Sequence, residues 1–157
     1  MDKIRIGGIM QNGHLAMLNI TSVPDRPGTA AAIMGGLGKK SINVQVIVQC
    51  IDQNSHDQVA LCVDRDDLAA AMQTLHAVAP ELSAGQIVSY PEAAIVSIFG
   101  PDFRERPGIA GTMFEALASV GINILAISTS ISTVSCVIES SYLDAALGAL
   151  RNTFDLP

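Results

Sequence analysis

Apolar positions recur along this chain in two rhythms, and the order in which the rhythms alternate predicts the fold. Leu18 and Ile20 flank polar Asn19 at a period of two, which predicts a strand; beyond Pro27, which is expected at the first helical position, Ala30, Ile33, Met34 and Leu37 recur at helical spacing. Ile42, Val44, Val46 and Val48 return to a period of two. Val59, Leu61 and Val63 do the same after a polar loop expected over Asp52-Gln53-Asn54-Ser55-His56-Asp57. Asp64 or Asp66 can cap a second helix carrying Leu68, Ala71, Met72 and Leu75, and Gln86 to Tyr90 supply a last strand. The predicted order is β-α-β-β-α-β. Two crossover helices on one antiparallel sheet make a ferredoxin-like sandwich, an α+β fold suited to a unit of this size.

The pattern occurs twice. Residues 16–49 align without a gap on residues 96–129 at a constant offset of 80, so that Arg26-Pro27-Gly28 falls on Arg106-Pro107-Gly108 and Ile42-Asn43 on Ile122-Asn123. After a loop five residues shorter in the second copy, Val63-Asp64 falls on Ile138-Glu139, and Leu68, Ala71 and Leu75 on Leu143, Ala146 and Leu150. The second copy reaches Pro157 one strand short, while Lys3-Ile4-Arg5-Ile6 alternates ahead of the first copy without an assigned partner. The expectation is that this N-terminal strand completes the second sheet. The first unit, 14–91, is then inserted within a second made of 1–12 and 93–157.

Composition narrows the function. The 157 residues are 49% apolar and 15% charged, with nine Lys+Arg against fifteen Asp+Glu and a net charge of -6. A large apolar share suggests cover by a partner subunit. A net negative chain with four Phe, two Tyr and no Trp is poorly suited to phosphate backbones or base stacking, so nucleic acid is not an expected partner. No apolar run approaches a membrane span, and Met1-Asp2-Lys3 does not lead into a signal-peptide core, so a cytoplasmic protein is expected. Cys50, Cys62 and Cys136, odd in number and without C-x-x-C spacing, are expected to be buried thiols. Gly35-Gly36-Leu37-Gly38-Lys39-Lys40-Ser41 fails the spacing of a phosphate loop and reads as a helix end before a strand beginning at Ser41. His14, His56 and His76 form no metal-binding pair, and Ser128, Ser130, Ser132 and Ser135 have no nearby His, so neither metal, cofactor nor catalytic residues are expected.

The repeated turn is the candidate site. In Pro24-Asp25-Arg26-Pro27-Gly28 a glycine removes the Cβ that would keep a ligand from the free amides of a helix start. Those amides attract a carboxylate, and Asp25 can receive an ammonium, a pair of contacts that suits an α-amino acid. Each copy is followed fifteen residues later by an asparagine, Asn43 or Asn123.

On Val23-Pro24-Asp25-Arg26-Pro27-Gly28-Thr29-Ala30-Ala31, Ile42 to Gln49, Val96-Ser97-Ile98-Phe99-Gly100, Pro107-Gly108-Ile109-Ala110, Met113 to Ala118, Gly121-Ile122-Asn123-Ile124 and Ile127-Ser128-Thr129-Ser130, the chain resembles the tandem ACT-domain regulatory region of aspartate kinase in its separate small-subunit form. The resemblance implies a feedback sensor for threonine, lysine or both, working on an aspartate kinase catalytic chain and pairing through its ACT units into a homodimer. It implies one effector site from Asp25, Pro27, Gly28, Ala30 and Gln49 with Asn123 and Ile124. A pseudo-equivalent second site would use Arg106, Gly108, Ala110 and Thr129 with Ile42, Asn43 and Val44. Gln49 can read a hydroxyl through its amide, which favours threonine at the first site. Where the family carries an acidic residue and then an arginine after Ser128-Thr129-Ser130, this chain has Ile131-Ser132-Thr133, which leaves the ε-ammonium of lysine without its partner. Glu105 also places an acid where the family's second unit is uncharged or basic. The rival readings are a free-standing tandem ACT regulator of another enzyme or of transcription and, behind it, a small enzyme acting on a carboxylate substrate, for which only Asp25 and Arg26 offer a titratable pair.

Overall fold

Alternation at the amino end condenses into a two-residue strand, β1 (Ile4–Arg5), and then into the long strand β2 (Gly8–Pro24). There follow α1 (Thr29–Lys39), β3 (Val44–Ile51), β4 (His56–Asp64), α2 (Leu68–Leu82), β5 (Ile87–Phe99), α3 (Ile109–Ser119), β6 (Ala126–Thr129), β7 (Thr133–Glu139), α4 (Leu143–Thr153) and β8 (Phe154–Asp155). This computed structural model describes residues 2–157, the side chain of Asp102 aside. The chain divides into two units, His14–Glu92 on one hand and the residues up to Gly13 with Ala93–Pro157 on the other.

In the 14–92 unit β4 lies between β2 and β3, antiparallel to both, with Leu18↔Leu61 and Ile47↔Leu61 in register. On the other side of β2, the Gly85 N–H donates to the Thr21 carbonyl and the Thr21 N–H to the Gln86 carbonyl, each at 2.9 Å, which delivers the chain into β5. The strand order β3-β4-β2-β5 with two crossover helices is the ferredoxin-like α+β arrangement. Its core forms where the apolar stripes of the helices, Ile33 and Leu37 from α1 and Ala71, Leu75 and Leu82 from α2, meet the alternating residues Leu18, Ile20, Val59, Leu61 and Val63. Each of these larger side chains contributes about 1.5–3 kcal/mol by leaving water.

The other unit repeats the plan. β7 lies between β5 and β6, again antiparallel, with Val96↔Cys136 and Ile127↔Cys136 in register. Val96, Ile98, Met113, Leu117, Ile138, Leu150 and Phe154 fill its core.

Several expectations are corrected. The alternating segment Lys3–Ile6 does not complete the second sheet; Ile4–Arg5 pairs in parallel with Phe154–Asp155 as a separate two-stranded ribbon, extended by the Ile6 N–H donating to the Asp155 carbonyl at 3.0 Å. The neighbour of β5 is β2, whose first residues, Gly8–Gly13, belong to this unit. The Gly7 N–H donates to the Phe99 carbonyl at 2.7 Å, and a Cβ at Gly8 would come within 2.8 Å of the Phe99 ring, so a side chain there would require the ring to shift. The loop expected over residues 52–57 is a tighter turn, because the Asp52 carboxylate accepts the N–H groups of Asn54 at 2.7 Å and His56 at 3.1 Å and lets β4 begin at His56. Ser41, expected to open a strand, sits in the left-handed region at φ 57, and β3 begins at Val44. Of the three cysteines only Cys62 and Cys136 are buried, their thiols pushed up to about 12 by burial; Cys50, near the end of edge strand β3, is exposed. No helix among the described residues is long and apolar enough to cross a membrane.

Candidate functional site

Helices α1 and α3 start in the same unusual way. Their N-caps, Gly28 and Gly108, have φ of 97° and 91°, and neither helix has a side-chain cap. The first intrahelical bonds run from the Ala32 N–H to the Gly28 carbonyl at 2.9 Å and from the Thr112 N–H to the Gly108 carbonyl at 3.0 Å. Pro27 was expected at the first helical position but precedes the N-cap. The positive φ at Gly28 is the reason, since right-handed helix cannot continue back through it. The amides of residues 29–31 consequently have no acceptor within the helix.

A Cβ built on Gly28 would meet nothing within 4 Å, so glycine is required there for its backbone angle and not for space. Gly28→Ala is therefore expected to cost about 1–2 kcal/mol, the penalty of a left-handed L-residue, measured by urea unfolding. A cost near zero would show that the turn relaxes to negative φ.

The turn is anchored on three sides. Thr29, buried, donates its hydroxyl to the Arg26 carbonyl at 3.1 Å; the Asp25 N–H donates to the Ser55 carbonyl at 3.0 Å; and Arg26 donates through Nη2 to the Glu81 carbonyl at 2.6 Å. Glu81 lies in the last turn of α2, where the helix presents its negative end, so the Arg26 charge is well placed there. The side chain of Asp25 remains exposed.

Beneath this turn lies a residue that the sequence pattern concealed. Asp57 on β4 is fully buried, and neither of its carboxylate oxygens has a hydrogen-bonding partner among the described residues. Burial pushes it above the usual carboxylate value of 3.8, the Asp25 charge adds to the push, and the Gln49 side chain pulls the other way. Asp25 and Gln49, predicted for one site from separate segments, are therefore brought together around Asp57. The signal was present in the alternation, since counting back by two from Val63, Leu61 and Val59 reaches Asp57. Its place in a run of polar residues made it read as loop.

The remaining predicted residues sit as follows. Pro27, Gly28 and Ala30 are exposed at the start of α1, and Gln49 is exposed on β3. Asn43 is exposed immediately before β3, Val44 opens that strand half-buried, and Ile42 belongs by its side chain to the 14–92 core. In the other unit Arg106, Gly108 and Ala110 occupy the start of α3, Thr129 ends β6, and Asn123 and Ile124 lie on the segment between them. Elsewhere, His14 Nε2 lies 2.9 Å from Asp66 Oδ1, with an Asp64 oxygen within 4.8 Å of both; Asp64 is occupied in accepting the Asp66 N–H, and this largely exposed cluster reads as a capping motif.

Comparison with known proteins agrees with this fold. Models of the ACT domain match residues 16–80 and 96–154. The aspartate kinase of Stutzerimonas stutzeri is 40% identical over 156 residues, an alignment that takes in 99% of this chain and 38% of that protein, so the chain spans under half the length of such relatives. The ligand-free regulatory subunit of aspartate kinase from Thermus thermophilus superposes with a TM-score of 0.87 at 32% identity, covering 96% of this chain and 99% of that one. A chain in a solved assembly of aspartokinase alpha and beta subunits gives 0.86 at 30% identity over 94% of this chain and 97% of its own. Two ACT domains and no kinase catalytic domain account for these 157 residues. The chain belongs to the family of tandem ACT-domain regulatory regions of aspartate kinase.

Proposed function

We propose that the chain is a feedback sensor that binds threonine and, when occupied, biases an aspartate kinase catalytic chain toward its inactive state. The observation that carries this reading is the start of α1, where uncapped amides lie beside the exposed carboxylate of Asp25, with the Gln49 amide held nearby around Asp57. The amides suit the effector's carboxylate, Asp25 its ammonium and Gln49 its hydroxyl. Asn123 and Ile124 are proposed to complete this site. Arg106, Gly108, Ala110 and Thr129 with Ile42, Asn43 and Val44 are proposed as its counterpart. The catalytic chain as partner is supported by the assembly of alpha and beta subunits that this chain resembles. A cytoplasmic homodimer is the matching working state. Inhibition requires that threonine bind one arrangement of the partner better than the other, ordinarily by about 1–3 kcal/mol.

Lysine is the weaker candidate. Residues 130–133, Ser-Ile-Ser-Thr, carry no acid, and Ile131 is 65% exposed with no charge for an ε-ammonium.

A thermal-shift panel of the dialysed chain against the twenty amino acids tests the proposal. Threonine at 100 times its dissociation constant is expected to add about 2.7 kcal/mol, a rise on the order of 5–10 °C, with lysine giving less. A shift confined to another amino acid would move the reading to a different ACT regulator. Silence across the panel would refute an autonomous sensor site on this chain.

A further inference from the structure

The Asp57 carboxyl has no hydrogen-bonding partner among the described residues, yet its surroundings are specific. It occupies the face of β4 shared with the core residues Val59, Leu61 and Val63, and its cross-strand neighbours are Val23 on β2 and Ile51 on β3. Two residues beyond Val23 along the chain is Asp25, and two before Ile51 is Gln49, so the two side chains assigned to the effector flank the buried carboxyl from opposite strands. The charged groups that act on it, Asp25 from the end of β2 and Asp52 from the β3–β4 turn, are both acids. Arg26 is engaged with the Glu81 carbonyl, and the first turn of α1 contributes no acid. Asp52 is kept ionised by the His56 and Asn54 amides, which hold it below 3.8.

An ionised carboxylate in this setting would be buried beside two like charges with the Gln49 amide as its one nearby side-chain donor, a costly form. The neutral acid has one O–H to give and one oxygen to accept, and its two flanking neighbours are a carboxylate and an amide.

We propose that Asp57 is the positioning residue of the effector site: as the neutral acid it presents its O–H to the Asp25 carboxylate and its other oxygen to the Gln49 amide, so that Asp25 meets the ligand's ammonium as a single, oriented negative charge. The proposal rests on the reading of this turn as the threonine site. Asp57 itself, having no exposed surface, does not touch the ligand. The pair of acids carries one charge, which matches one ammonium; two charges would repel each other in the empty site.

The two aspartates consequently respond differently to the same substitution. Asp57→Asn keeps a donor and an acceptor and cannot ionise, so threonine affinity in the 157-residue chain is expected to stay within about threefold of the parent, whereas Asp25→Asn removes the charge and should lose at least about tenfold. Asp57→Leu, folded by circular dichroism, should also lose about tenfold, through misorientation of Asp25 and Gln49. Stability supplies a readout without ligand. The folded-state pKa of Asp57 lies above the unfolded value, so as pH rises from about 4 the unfolded chain ionises first, and folding stability is lost until the folded pKa is passed. Asp57→Asn is exempt, so its excess in melting temperature over the parent should grow as pH rises from about 4. Equal loss of threonine in Asp57→Asn and Asp25→Asn would overturn the proposal by making Asp57 an ionised ligand acceptor. Equal affinity in Asp57→Leu and Asp57→Asn would overturn it by removing any positioning role. If the parent chain does not respond to threonine, the threonine reading fails by itself, and the pH series decides for the acid pair: a growing excess supports it and a constant difference overturns it.

Discussion

Deleting residues 2–10 is expected to expose the 93–157 segment to protease before the 14–92 unit, although the deletion lies next to the latter in sequence. The removed residues belong to the core around β5. Ile6 is 2% exposed within it, and Ile4 and Ile9 pack against it. The deletion also breaks the β1–β8 ribbon, the Ile6–Asp155 bond and the Gly7–Phe99 bond. Truncating one buried isoleucine to alanine costs about 2–5 kcal/mol, and domains have only about 5–15 kcal/mol in hand, so losing a whole edge of the unit should leave it unfolded or nearly so. Limited proteolysis read by mass spectrometry would show first cuts between residues 93 and 157. First cuts within 14–92 would refute the assignment of the N-terminal segment to the second unit.

That segment also shows what kind of information alternation holds. Lys3–Ile6 alternates and does form a strand, but a period of two says that a strand exists and which side of it is apolar, not which strand it joins. Its partner is Phe154–Asp155, a pairing across the whole chain that hydropathy does not record. The repeat, by contrast, was fully legible, because Arg26-Pro27-Gly28 and Arg106-Pro107-Gly108 impose the same left-handed N-cap on α1 and α3, and the core stripes that follow them are matched residue for residue. Asp25 and Gly28 were readable for the same reason. Gln49 came from family resemblance, and its structural company, Asp57, from neither. An acid in a run of polar residues reads as solvent-exposed unless the strand's register is followed backwards from its apolar end. Ile42, also named by the resemblance, has its side chain in the core, which leaves its backbone for the proposed second site.

Asp25→Ala is the variant expected to separate binding from folding most cleanly. The structural bond made by this residue runs from its backbone N–H to the Ser55 carbonyl, which alanine keeps, and its side chain is exposed. Exposed substitutions of this kind ordinarily change stability by about 0.5 kcal/mol or less. Two opposing changes act on Asp57: alanine removes the Asp25 charge, one of the causes that push Asp57 up, and also removes the acceptor proposed for the Asp57 O–H, so the ligand-free melting temperature at neutral pH should change little. Threonine affinity, by contrast, should fall. A charge-assisted hydrogen bond to an ammonium is worth about 1.5–3 kcal/mol, so titration calorimetry is expected to show roughly ten- to hundredfold weaker binding. A loss of stability with a proportional loss of binding would mean that Asp25 serves the turn and not the ligand. Unchanged affinity in a stable variant would remove the ammonium acceptor from this turn, and with it the reason for pairing Asp25 with Asp57; the uncapped amides of α1 alone would then have to account for any effector that binds.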